Sequence, residues 1–86
     1  MILEFPCKVG KVQLTEDGFI RIKKTLGPIL WQSHNQFVTG FTLQPHGLWY
    51  TMIIYTQVQG SYAVEIVSKP NYMKLQPYFP MLISRQ

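Results

Sequence analysis

Side chains that could act as nucleophiles, bases or metal ligands are few in this chain. They are one thiol, two imidazoles and four carboxylates: Cys7, His34, His46, Glu4, Glu16, Asp17 and Glu65. The cysteine and the histidines lack the C-x-x-C and H-x-x-x-H spacings that small metal sites use. No two carboxylates are placed to share a cleft, and no acid is placed to orient a Cys-His pair. We therefore expect no enzyme activity, no metal, no cofactor and no small-molecule substrate.

Positive charge is concentrated near the N terminus, and the chain has a net charge of +4. Lys11, Arg21 and Lys23 alternate along a predicted hairpin, so their side chains should converge on one anion. The anion could be an acidic lipid head group or single-stranded nucleic acid, whose bases would stack on aromatic side chains. With Lys8 and Lys24, the same cluster could attach weakly to an anionic membrane surface. The alternative is a solvated basic edge that discourages strand pairing.

The middle of the chain is almost uncharged. From Thr25 to Ser68 the only charged residue is Glu65, although about 25% of a typical chain is charged. In a domain of 86 residues much of this segment must face outward. An outward surface rich in aromatic and uncharged side chains is typical of protein interfaces. The alternative is a barrel solvated by Thr, Gln and Ser.

The hairpin that carries the cations is the clearest local structure. Residues 11–15 alternate between polar and apolar, residues 19–24 alternate again, and Asp17-Gly18 between them is a strong hairpin signal. Four apolar residues should point inward: Val12, Leu14, Ile20 and Ile22. The spacing places the cations on the opposite side.

Residues 29–35 should form a short strand, and three longer apolar runs follow it as a meander: residues 37–43, 48–57 and 62–67. The breaks between these runs contain Gly47 and Gly60. Alternation along the middle run defines two rows. We expect the first row to lie in the core: Leu48, Tyr50, Met52 and Ile54. The second row should contact a protein partner: Trp49, Thr51, Ile53 and Tyr55.

The two ends have a different character. Residues 1–9 should be an N-terminal arm or edge strand, residues 10–68 a β-barrel, and residues 70–83 a C-terminal helix broken near Pro77, all within a single domain spanning residues 1–86. A helical stripe supports this helix: Tyr72, Leu75, Phe79 and Leu82. The start is a poor signal peptide, no apolar run is long enough to span a membrane, and the single cysteine favours a cytoplasmic setting.

Four segments together resemble small bacterial domains of the pleckstrin-homology (PH) superfold: Asp17-Gly18-Phe19-Ile20-Arg21-Ile22, Ile29-Leu30-Trp31, the strand pair of residues 52–67 with its short Gly turn, and Lys74-Leu75-Gln76-Pro77-Tyr78-Phe79. The resemblance implies a mainly β fold, a partly open antiparallel barrel of six or seven strands with a short C-terminal helix. The helix here is shorter than is usual in the family, and Pro77 interrupts it.

Most bacterial PH-like domains look like protein-interaction or self-assembling modules. The resemblance therefore implies a non-enzymatic binding module, with a protein partner or a homo-oligomer. Eukaryotic relatives often hold phosphoinositide head groups on a basic first hairpin, and the counterparts here are Lys11, Arg21 and Lys23. The alternative function that this implies is an anion-binding barrel.

Overall fold

The computed structural model describes residues 1–79, in which seven strands form one antiparallel sheet. The strands are β1 Leu3–Cys7, β2 Gly10–Leu14, β3 Phe19–Lys23, β4 Ile29–His34, β5 Val38–His46, β6 Trp49–Thr56 and β7 Gly60–Ile66. A 3-10 turn, Asn35–Phe37, joins β4 to β5, and a short helix, α1 Lys69–Met73, follows β7. The order β4-β3-β2-β1-β7-β6-β5 leaves the sheet open, with β4 and β5 at its edges. The predicted mainly β class, with six or seven antiparallel strands and a short C-terminal helix, is confirmed, and the number of strands is seven.

The β2–β3 hairpin forms as the alternation predicts. Its loop is closed by Thr15, whose amide donates to the carbonyl of Phe19 at 2.9 Å. Gly18 adopts a φ of 93°, which side chains disfavour, so glycine suits the position that returns the chain into β3. The four residues predicted to point inward are all buried: Val12, Leu14, Ile20 and Ile22. The cations of the hairpin consequently lie on its outer side.

β1 lies inside the sheet, between β2 and β7, and is not the predicted arm or edge strand. Its register with β2 runs from Leu3 opposite Leu14 to Cys7 opposite Gly10. Phe5 and Cys7 point inward and are only 3% and 7% exposed. This apolar alternation gives β1 a buried side, and β1 thereby joins the two halves of the sheet.

Two tight turns define the β5–β6–β7 meander. Gly47 and Leu48 form the loop between β5 and β6, and the φ of 64° at Gly47 suits the first central position of a type II′ turn. Leu48 is 94% exposed in this loop, so its predicted place in the core is wrong. Met52 and Ile54 are fully buried, as predicted, and Tyr50 is partly buried against the core. The prediction of which alternate residues of β6 point inward is therefore correct, although β6 begins one residue later than expected.

The C-terminal segment packs against the inner side of the sheet. Pro70 lies in the first turn of α1, as predicted. The helix ends at Met73, and turns continue as far as Tyr78. Three residues of the predicted stripe are buried, Tyr72, Leu75 and Phe79; the fourth, Leu82, and the end of the predicted helix lie outside the described residues. The ring of Phe79 lies 5.1 Å from that of Phe41, so this segment completes the core.

Candidate functional site

The predicted partner-binding row lies on the outer side of β6 and has neighbours on both flanking strands. Ile53 is opposite Thr42 on β5 and Ala63 on β7. We call this surface the neutral face and define it by eight residues: Thr42, Gln44, Trp49, Thr51, Ile53, Tyr55, Ser61 and Ala63. None of the eight is charged, Tyr55 is 38% exposed, and the other three residues of the row are partly buried. The structure therefore brings the four predicted residues together in one uncharged patch.

One carboxylate borders the neutral face, and it is neutralised locally. Glu65 on β7 lies opposite Thr51. Its Oε2 is 3.6 Å from Nζ of Lys8, and its Oε1 is 3.0 Å from Nδ1 of His46. The ammonium of Lys8 also lies 6.0 Å from the ring centroid of Trp49, a favourable position for a cation. The only charge in the central segment is thus paired at the rim of the patch.

The sequence pattern does not predict this cluster. It places His46 in a turn, whereas His46 is the last residue of β5. It places Lys8 in an arm, whereas the amide of Lys8 donates to the carbonyl of Glu65 at 2.7 Å. A signal was present nonetheless, because an isolated carboxylate in an otherwise uncharged sheet is expected to have a cationic partner.

The three predicted anion-binding residues also share one surface, which we call the basic face: Lys11, Arg21 and Lys23. Lys11 lies directly opposite Lys23, and Arg21 is opposite Gln13 on the neighbouring strand. Directly opposed like charges destabilise a sheet. Nζ of Lys11 is 3.8 Å from Oε2 of Glu4, which relieves part of this repulsion. In the described chain no carboxylate lies within salt-bridge distance of Arg21 or Lys23.

A shallow cleft of about 270 Å³ adjoins the basic face. Its lining combines the Lys11 ammonium and the Glu4 carboxylate with a hydroxyl and apolar groups; the remaining residues are Phe5, Pro6, Gly10 and Thr25. Gly10 lies against the β3–β4 corner so closely that an added Cβ would be 2.1 Å from the carbonyl oxygen of Lys23. The close approach of β2 to this backbone therefore requires glycine at position 10.

The thiol and the imidazoles that could do chemistry are engaged in structure. Cys7 points into the core, and burial raises the pKa of its thiol, whereas a nucleophilic cysteine needs a lowered one. Nδ1 of His34 accepts a hydrogen bond from the amide of Gln36 at 3.2 Å and caps the 3-10 turn. His46 lies on the opposite side of the sheet from Cys7. Residues 1–79 contain no group of three or more side chains that could hold a metal ion.

No helix within residues 1–79 has the length and apolar character needed to cross a membrane. The chain matches no protein-family model, no curated protein and no solved structure. The likeness to PH-like domains therefore stays a prediction from the residues that suggested it.

Proposed function

We propose that this chain is a non-enzymatic, PH-like binding module that engages another protein surface through its neutral face, in the simplest case that of a second copy. The observation that carries the proposal is that Glu65 is the only charged residue among the outward positions of β5, β6 and β7, and that Lys8 and His46 pair with it. Interface cores are depleted in charged residues and enriched in aromatic ones. Trp49 and Tyr55 are the types of residue that most often anchor such surfaces.

The size of the neutral face indicates a weak or transient contact. Three strands spaced about 4.8 Å apart and roughly 26 Å long cover only a few hundred Å² per partner. A standard stable interface buries about 800 Å² per partner. Additional contacts from the rim, where Lys8 and Glu65 lie, would be needed for tight binding. We therefore expect association in the micromolar range or weaker.

Sedimentation velocity over a wide range of protein concentration tests the proposal. Ile53→Lys places a charge in the centre of the neutral face, and Thr25→Lys makes the same change of charge in an exposed turn. Wild type and Thr25→Lys should both show an average mass that rises with concentration, whereas Ile53→Lys should stay monomeric. A wild-type chain that is monomeric at every concentration contradicts self-association. Equal association of all three chains excludes the neutral face.

A second candidate function, anion binding by the basic face, is favoured by the directly opposed Lys11 and Lys23. Directly opposed like charges destabilise a sheet, and Glu4 lies within salt-bridge distance of Lys11 but not of Lys23, so a bound anion would stabilise the pair further. Arg21 lies on β3 together with Lys23, and its Nε is buried without a hydrogen-bond partner. The ligand would be a phosphate-bearing strand or an acidic lipid head group.

Titration with a single-stranded oligonucleotide, and separately with anionic vesicles, at two salt concentrations tests this function. Binding should weaken steeply with salt, and Arg21→Gln combined with Lys23→Gln should abolish it. Lys69→Gln combined with Lys74→Gln removes the same charge from the helical segment and should have little effect. Equal losses in the two double variants would indicate only a general attraction to a basic protein.

A further inference from the structure

The two edges of the sheet differ in how well their backbones are covered. On β5, Phe41 and Leu43 are 0% and 2% exposed, so this edge is shielded along its middle. On β4, Gln32 is exposed, and Ile29 and Leu30 are 44% and 41% exposed. β4 also contains no charged residue and no proline, the devices that usually prevent edge strands from pairing. β4 is therefore the accessible edge.

The backbone of Gln32 points away from β3 into this open edge. The amide of Asn35 donates to the carbonyl of Gly18 at 2.8 Å, and bonded positions alternate along an antiparallel ladder. Since Gln32 is three residues before Asn35, its amide and carbonyl fall on the side away from β3. An independent contact agrees, because the carbonyl of Gln32 accepts a hydrogen bond from Nε2 of Gln59 at 3.1 Å. One flexible side chain thus occupies a position that a strand could take.

The surroundings of β4 indicate what kind of strand would fit. Arg21 lies opposite Gln32 on the outer side of the sheet, and its guanidinium has no carboxylate partner in the described chain. A strand added next to β4 would bring its outward side chains within reach of Arg21. On the inner side, the partly buried Trp31 stacks on Tyr62 at 5.1 Å and offers an apolar surface. Outward positions of the added strand therefore favour acids, and inward positions favour apolar residues.

We propose that the β4 edge binds an extended segment of another protein in which acidic and apolar residues alternate, as an added antiparallel strand. The backbone of Gln32 supplies the hydrogen bonds, Arg21 pairs with an acidic side chain, and Gln59 is displaced. A second copy of this chain fits less well. The strands of a second copy carry few acids. The β3 strand of that copy would also bring its own cations next to Arg21, Lys23 and Lys24 of the first copy.

Fluorescence anisotropy with a short labelled peptide of alternating Glu and Val tests the proposal. The same peptide with N-methyl groups on alternate amides should bind at least tenfold more weakly, because it loses one or more backbone hydrogen bonds. A peptide with Lys in place of Glu should also bind at least tenfold more weakly. These comparisons leave the protein unchanged, so misfolding of a variant cannot produce the result. Equal binding of all three peptides, or no binding of the first, would overturn the proposal.

Three variants locate the site. Gln32→Pro removes the open amide without removing a β3 bond and should weaken binding about tenfold. Arg21→Gln should weaken it severalfold, whereas Lys69→Gln, with the same loss of charge, should not. Ile53→Lys should leave peptide binding unchanged, so failure here and failure of the neutral face are separable. Self-association that Gln32→Pro abolishes would identify a second copy as the occupant and overturn the proposal.

Discussion

Replacement of Gly10 by alanine should destabilise the protein more than the same replacement at Gly47. Both glycines have positive φ, 156° and 64°. Nothing lies within 4 Å of a Cβ added at Gly47, whereas a Cβ at Gly10 would lie 2.1 Å from the Lys23 carbonyl oxygen and 2.7 Å from Cα of Lys24. Since both obstacles are backbone atoms, no side-chain rotation relieves the overlap. The β2–β3 ladder must shift instead.

The magnitudes follow from these two differences. An unfavourable φ alone costs about 1–2 kcal/mol, which is the expected loss for Gly47→Ala. Gly10→Ala adds the disruption of one or two ladder hydrogen bonds, about 1 kcal/mol each, for a total of roughly 3 kcal/mol. In a domain of this size 1 kcal/mol lowers the Tm by about 4–8 °C. Gly10→Ala should therefore lower the Tm by at least about 12 °C.

Urea unfolding followed by tryptophan fluorescence measures both free energies, and thermal unfolding followed by circular dichroism checks the Tm values. The predicted result is a loss for Gly10→Ala clearly larger than that for Gly47→Ala. Equal losses would show that the close approach of β2 to the β3–β4 corner does not exist in solution. That result would also remove the cleft next to the basic face.

Three further predictions concern the core and two titrating groups. Ile54→Ala should cost about 2–5 kcal/mol in urea unfolding because its side chain is fully buried, whereas Ile53→Ala on the neutral face should cost less than half as much. Burial raises the pKa of Cys7, so as the pH rises the thiol loses its proton in the unfolded chain before it does so in the folded protein. The free energy of unfolding should therefore fall as the pH rises above about 8.5. Cys7→Ala should remove this dependence of the free energy of unfolding on pH. The hydrogen bond from the Thr15 hydroxyl lowers the pKa of Asp17. The stability that this hydrogen bond gives the folded protein should therefore be lost as the pH falls through the lowered pKa of Asp17. Thr15→Val should raise the pKa of Asp17 in an NMR titration.

Local signals predicted the β2–β3 hairpin and which alternate residues of β6 point inward. The Asp17-Gly18 turn and strict alternation are properties of neighbouring residues, and burial of Met52 and Ile54 follows from the same alternation. The place of β1 depends instead on pairing with β7, which brings Cys7 opposite Ile66. Such pairing between distant segments leaves no local pattern, since an apolar alternating strand suits the edge and the interior of a sheet equally.

The candidate surfaces show the same division. The alternation of Lys11, Arg21 and Lys23 placed them on one face because a strand has a period of two. The contacts that modify the neutral face require tertiary structure, because Lys8 and His46 reach Glu65 from different strands. The open β4 edge likewise follows only from the strand order, since residues 29–34 alone do not reveal whether another strand covers them.

Hydroxyl-radical footprinting tests the central claim most directly, because it measures how accessible individual side chains are in solution. Tyr55 on the neutral face and Tyr78 outside it are 38% and 49% exposed in the isolated chain, which makes them a matched pair. If the neutral face is an interface between two copies of this chain, oxidation of Trp49 and Tyr55 should fall as the protein concentration rises, while oxidation of Tyr78 stays constant. Oxidation of Trp49 and Tyr55 that does not change with concentration would contradict self-association through the neutral face.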